Sequence, residues 1–174
     1  MKQAIVFDLD GTLWDSAEGV TRAWNEVFSR HPEVDARITQ AQLRAYMGKT
    51  TREIAGLLLP QLTEAQAMRL MEELEENELK YLRAHGGGKL FEGVLSTLHA
   101  LCRTYDLFIV SNCGSGYIET FLDMHGTSRF FRGHTCPGDT GKRKGENIRL
   151  ILEQNGSPRA FYLGDTLHDE QAAR

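Results

Sequence analysis

Apolar positions change period along the chain. The first run, Ala4-Ile5-Val6-Phe7, is short and continuous and ends in acidic residues, the pattern of a buried strand that opens into a polar loop. From about residue 16 to residue 85 the spacing turns helical. Val20, Ala23, Trp24, Val27 and Phe28 share one helix face. Thr39 with Gln42, and Thr63 with Gln66, fit capping boxes, in which a threonine side chain and a glutamine three residues on satisfy free amides at a helix start. Gly48 is placed to end the second helix, and Pro60 to separate the last two. Ala67, Leu70, Met71, Leu74 and Leu82 form another apolar stripe, and the nearby Glu72, Glu73, Glu75 and Glu76 read as solvated surface. Gly86-Gly87-Gly88 breaks the pattern and reads as a flexible joint.

After the glycines, helices and strands alternate. Val94, Leu95, Leu98, Leu101 and Cys102 suggest a helix, and Leu107 to Val110 a strand ending at Ser111. Ile118, Phe121 and Leu122 suit a helix closed by Gly126, and a short strand is expected near His134 to Cys136. Ile148, Ile151 and Leu152 mark a helix ending at Asn155-Gly156, and Ala160 to Leu163 a strand ending at Gly164-Asp165. Such alternation implies an α/β fold whose parallel sheet is covered on both faces. The expected core comprises residues 1–15 and 89–174, with residues 16–88 inserted after the first strand as an all-helical lid. Ligands of such sheets bind beyond the carboxyl ends of the strands. Asp8 and Asp10, Ser111, and Asp165 all lie at such ends, so they should surround one pocket.

Composition narrows the partners. The formal net charge of −4 gives no footprint for nucleic acid or anionic lipid. No apolar run is long enough to span a bilayer, and the N-terminus does not read as a secretory signal. Cys102, Cys113 and Cys136 suggest neither a disulfide framework nor a zinc site, so a cytoplasmic location is expected. The oligomeric state is left open.

The chemistry follows from the acids. Asp8 and Asp10 stand two residues apart, and Asp165 and Asp169 bring the same site to four carboxylates. Carboxylates gathered at one spot repel, and a hard cation such as Mg2+ offsets their charge while taking a substrate phosphate as a further ligand. A carboxylate can attack phosphorus to give an acyl phosphate if the phosphoryl charge is neutralised. Lys142, Arg143 or Lys144 can supply a cation, Ser111 and Asn112 can donate hydrogen bonds, and Asp10 can move the proton.

The segments that carry these residues resemble the haloacid dehalogenase superfamily, in its phosphatase branch with a helical cap of the first type. Phe7-Asp8-Leu9-Asp10-Gly11-Thr12-Leu13 is similar to the first family motif and Ser111-Asn112 to the second. Lys144-Gly145-Glu146-Asn147-Ile148 resembles the third, and Gly164-Asp165-Thr166-Leu167-His168-Asp169 the fourth. The resemblance implies a Rossmann-like core and a helical cap. It implies Asp8 as nucleophile, and Asp10 as general acid and base. Mg2+ would be held by Asp8, Asp10 (through its carbonyl), Asp165 and Asp169. Thr12, Ser111, Asn112 and Lys144 would bind the phosphoryl group, with Lys142 the alternative lysine. The implied partner is a small-molecule phosphate ester, such as a phosphorylated sugar, glycolate or nucleotide. Asp10 favours ester hydrolysis over dehalogenation, because dehalogenating relatives lack an acid there. A sugar phosphomutase, which keeps both acids, and a non-catalytic binding domain are the competing expectations.

Overall fold

The computed structural model describes residues 2–157 and 159–174. Strand β1 (Ala4–Phe7) is central in a four-stranded parallel sheet. The other strands are β4 (Asp106–Val110), β5 (Phe131–Thr135) and β6 (Ala160–Leu163), in the order β5-β4-β1-β6. β1 pairs Ile5 with Leu107 on one side and with Phe161 on the other. Every residue of β1 is buried, because the sheet is covered on both faces. Ile5, Phe7, Leu107 and Ile109 point into one apolar cluster with Leu98, Ile118 and Phe121. Ala4, Val6, Phe108 and Val110 point the opposite way, onto Ile148 and Ile151. This two-residue alternation explains why a continuous apolar run was required.

Between β1 and Gly86 the chain forms four α-helices: α1 (Ala17–Arg30), α2 (Gln40–Tyr46), α3 (Thr51–Leu58) and α4 (Glu64–His85). The capping boxes at Thr39 and Thr63 are both formed, and Thr50 with Glu53 adds a third at the start of α3. A short antiparallel pair, β2 (Trp14–Asp15) with β3 (Lys89–Leu90), ties the entry of this helical segment to its exit. Five more helices complete the described chain: α5 (Val94–Leu101), α6 (Tyr117–His125), α7 (Pro137–Thr140), α8 (Lys144–Gln154) and α9 (Leu167–Ala173). Among the described residues no helix is long and apolar enough to cross a membrane.

Two expectations change. The strand expected near His134 to Cys136 runs from Phe131 to Thr135, since its polar, glycine-containing sequence carries little strand signal. The three glycines do not form a loose joint. Gly86 ends α4 in the left-handed conformation (φ 89°). Gly88 lies so close to β2 that an added Cβ would fall 2.7 Å from the Asp15 carbonyl and 2.9 Å from Ser16 Cα. Close backbone approach requires glycine here, not freedom of movement.

Candidate active site

The site assembles at the carboxyl ends of β1, β4 and β6, where the strands stop and the pocket opens. Asp8 directly follows β1, and its amide donates to the Leu163 carbonyl of β6 at 2.8 Å, so the nucleophile candidate is fixed by the sheet itself. Its side chain is buried. Burial raises its carboxyl above the usual carboxylate range, and the neighbouring Lys144 opposes that shift.

Lys144 begins α8, is buried, and points its ammonium at two carboxylates. Nζ donates to Asp8 Oδ1 at 2.7 Å and to Asp169 Oδ1 at 2.5 Å. Burial alone would lower its pKa, but Asp8 and Asp169 outweigh burial and raise it, so the lysine is held charged. Lys142 is exposed, which separates the two lysines that the sequence left as alternatives.

Asp169 is buried and fully engaged. Oδ1 accepts from Lys144 and from the Tyr162 hydroxyl, and Oδ2 from the Thr166 amide and hydroxyl in a capping box that starts α9. Burial pushes its pKa up, yet Lys144 and Thr166 win and bring it below the usual value. Asp165 is exposed, and burial of part of its carboxyl raises its pKa. One oxygen each from Asp8, Asp165 and Asp169 lie within 4.8 Å of one another. Two glycines make this crowding possible. An added Cβ on Gly11 (φ 81°) would fall 2.2 Å from Asp165 Oδ2, and one on Gly164 would fall 2.4 Å from Asp169 Cγ. A cluster of hard carboxylate oxygens with a single lysine among them fits a divalent cation of the Mg2+ kind.

Asp10 does not join that cluster. Its Oδ1 accepts from Ser16 Oγ at 2.6 Å and from Tyr117 Oη at 2.9 Å, and Tyr117 also lies 2.8 Å from Ser16 Oγ. Burial pushes its carboxyl up to about 6, with the Ser16 and Tyr117 hydrogen bonds opposing. Such an acid sits near the pH at which proton transfer in both directions is efficient. Sequence reasoning missed both partners. Neither residue stands out in the sequence, and Tyr117 also makes an edge contact with Trp14.

Ser111 is buried at the end of β4 and lines the pocket. Asn112 lines it as well, but its Nδ2 donates to the Gly48 carbonyl at 2.8 Å, so its amide ties the sheet to the loop after α2. Asn112 Oδ1 and Thr12 Oγ1 are buried without a hydrogen-bond partner. Across the pocket stand residues of the helical segment, including Trp24, Tyr46, Lys49, Thr51, Glu75 and Glu78. The acidic run of α4 is therefore not all surface. Glu75 and Glu78 fall one turn apart on the face that also buries Met71, Leu74 and Leu82, so they turn inward while Glu72 and Glu76 remain exposed. Thr51 Oγ1 donates to Glu75 Oε1 at 2.8 Å, and Trp24 Nε1 to Glu78 Oε2 at 2.6 Å. Burial raises both acids, Glu78 to about 8.

Comparison with known proteins agrees with this geometry. Residues 5–174 match the model of the family described as haloacid dehalogenase-like hydrolase. A phosphoglycolate phosphatase of Xylella fastidiosa is 33% identical over 99% of this chain and 76% of its own. That of Synechococcus elongatus is 32% identical over 99% of this chain and 79% of its own. Among solved structures, CbbY from Rhodobacter sphaeroides in complex with phosphate superposes with a TM-score of 0.78 at 25% identity, covering 99% of this chain and 82% of that one. A haloacid dehalogenase-like family hydrolase from Streptococcus pneumoniae gives 0.78 at 24% identity, over 99% and 80%. With its parallel sheet, its acids gathered at the strand ends and a family match across nearly its whole length, this chain belongs to the haloacid dehalogenase-like hydrolases.

Proposed function

We propose that the chain hydrolyses a small-molecule phosphomonoester through a phosphoaspartate on Asp8, with Mg2+ as cofactor and residues 16–88 as a cap over the site. The observation that carries this reading is the Lys144 ammonium held between Asp8 and Asp169 at the mouth of three strands. In the first step an Asp8 carboxylate oxygen attacks phosphorus and the ester P–O bond breaks. Asp10 delivers a proton to the departing oxygen. In the second step Asp10 takes a proton from water, the water oxygen attacks phosphorus, and the P–O bond to Asp8 breaks to release inorganic phosphate.

Lys144 holds Asp8 in place and offsets negative charge near the phosphoryl oxygens. Ser111 and Thr12 donate hydroxyl hydrogen bonds to that group, which gives the orphaned Thr12 hydroxyl its partner. Asn112 works from the pocket wall, positioning the Gly48 loop. Mg2+, held by Asp8, the Asp10 carbonyl and Asp165, would neutralise charge on the transferring group. Asp169, with both oxygens engaged, supports that site from behind. Relatives named phosphoglycolate phosphatase support hydrolysis over phosphoryl transfer between sugars.

The test is hydrolysis of para-nitrophenyl phosphate by the wild type with Mg2+, with EDTA, and by Asp8→Asn. Turnover should require the metal and vanish in the variant. Metal-independent turnover, or activity retained by Asp8→Asn, would exclude the phosphoaspartate route.

A further inference from the structure

We infer that the pocket selects phosphomonoesters whose leaving group carries hydroxyls, and disfavours leaving groups that carry a carboxylate. This rests on the phosphomonoesterase reading above and names its substrate class.

The space between the strand ends and the helical segment is a cavity of about 80 Å3, room for roughly three water-sized groups. At one end lie Asp8, Asp10 and Ser111, where the phosphoryl group reacts. Lys49, Thr51, Glu75 and Glu78 line the same cavity, so the leaving group lies against them. Glu75 crosses from α4 to the loop that follows Ser111, close enough that an added Cβ on Gly114 would fall 2.7 Å from its Oε2. It therefore stands beside the reacting end and not out at the rim.

Glu75 and Glu78 each accept one side-chain hydrogen bond among the described residues, from Thr51 and Trp24. A carboxyl group has capacity for more. Within a half-closed pocket that spare capacity is met by a ligand that donates. A hydroxyl both donates and accepts, so it matches a carboxyl group in either protonation state. A carboxylate cannot donate, and beside Glu75 it meets a group of its own kind, with Lys49 the one cationic side chain lining the cavity among the described residues. Sites built around buried polar groups reject analogues that leave those groups unpaired far more strongly than sites that only lose apolar contact. The pocket thus departs from what the names of its phosphoglycolate phosphatase relatives suggest, since glycolate carries a carboxylate and no free hydroxyl once phosphorylated.

The experiment compares kcat/KM for glycerol 3-phosphate, 2-phosphoglycolate and para-nitrophenyl phosphate, in the wild type and in Glu75→Gln. The wild type should prefer glycerol 3-phosphate to 2-phosphoglycolate by about tenfold or more. Glu75→Gln, which keeps an acceptor and removes the charge, should narrow that ratio by raising the 2-phosphoglycolate value. Equal use of the two, or preference for 2-phosphoglycolate, overturns the inference, and the wild-type ratio decides this without any variant. A wild-type preference that Glu75→Gln leaves unchanged overturns the assignment to Glu75. Failure of all three esters overturns the phosphatase reading itself, whereas turnover of para-nitrophenyl phosphate with 2-phosphoglycolate preferred overturns the substrate class alone.

Discussion

At the scale of single residues, the site depends on charges buried in pairs. Lys144 offsets the charge of both Asp8 and Asp169, and all three are buried. Removing one member of such a group leaves an uncompensated charge, which costs more than the pair gains. Lys144→Met should lower stability by about 3–5 kcal/mol and abolish turnover, as read by thermal denaturation and phosphate release. The double variant Asp8→Asn/Lys144→Met should recover part of the lost stability and none of the activity.

Glu78 gives a second prediction with a defined sign. Its carboxyl titrates at 4.5 when unperturbed and at about 8 in the folded protein, because it is buried. The folded state therefore holds the proton more tightly than the unfolded state. Glu78 costs nothing below 4.5, where it is neutral in both states, and its cost grows as pH rises from 4.5 and is complete above about 8. Glu78→Gln keeps an acceptor for Trp24 Nε1 and removes that cost. Its Tm should nearly match the wild type near pH 5 and exceed it by about 10 °C near pH 8.5 in differential scanning calorimetry. A constant difference across the range would show that Glu78 does not titrate in its buried position.

At the scale of elements, the glycines after α4 separate two kinds of requirement. Gly86 needs a positive φ, but an added Cβ would meet nothing within 4 Å. Gly86→Ala should cost about 1 kcal/mol, the strain of the left-handed region. At Gly88 a methyl group would strike the backbone of Asp15 and Ser16, where β2 and β3 pair. Gly88→Ala should cost about 2–3 kcal/mol, the range of overpacking against atoms that cannot rotate away. Urea unfolding of the two variants checks the order. These glycines also show what the sequence conceals. A run of glycines signals departure from regular structure but does not distinguish looseness from tight packing. The strands β1 and β4 were legible because burial on both faces demands continuous apolar runs, and β6 because its run is equally apolar although one face stays partly exposed. The acids and Lys144 were legible because their positions are set locally, at strand ends and at a helix start. Tyr117 and Ser16 were not, because their role is fixed by the docking of α6 onto the chain near Asp10. Glu75 was misread for a similar reason: only the packing of α4 decides which glutamates turn inward.

At the scale of the whole molecule, the sheet is protected unevenly. Among the described residues β6 pairs with β1 alone. Its side chains alternate as β1 does, with Ala160 and Tyr162 packed on the cluster beneath α8. Phe161 and Leu163, in register with Ile5 and Phe7, point to the other face, where they stay 52% and 42% exposed. The same face of β1 is fully covered. Exposed apolar side chains on one sheet face offer hydrophobic area to a second chain. The wild type should therefore show a weight-average mass that rises with concentration in sedimentation experiments. The variant Phe161→Lys/Leu163→Thr should stay at the monomer mass over the same range. Because both side chains are exposed, the substitutions should leave the far-ultraviolet circular dichroism unchanged, and Tm should move by no more than about 1 kcal/mol equivalent. A mass independent of concentration would mean that the exposed Phe161 and Leu163 do not drive self-association.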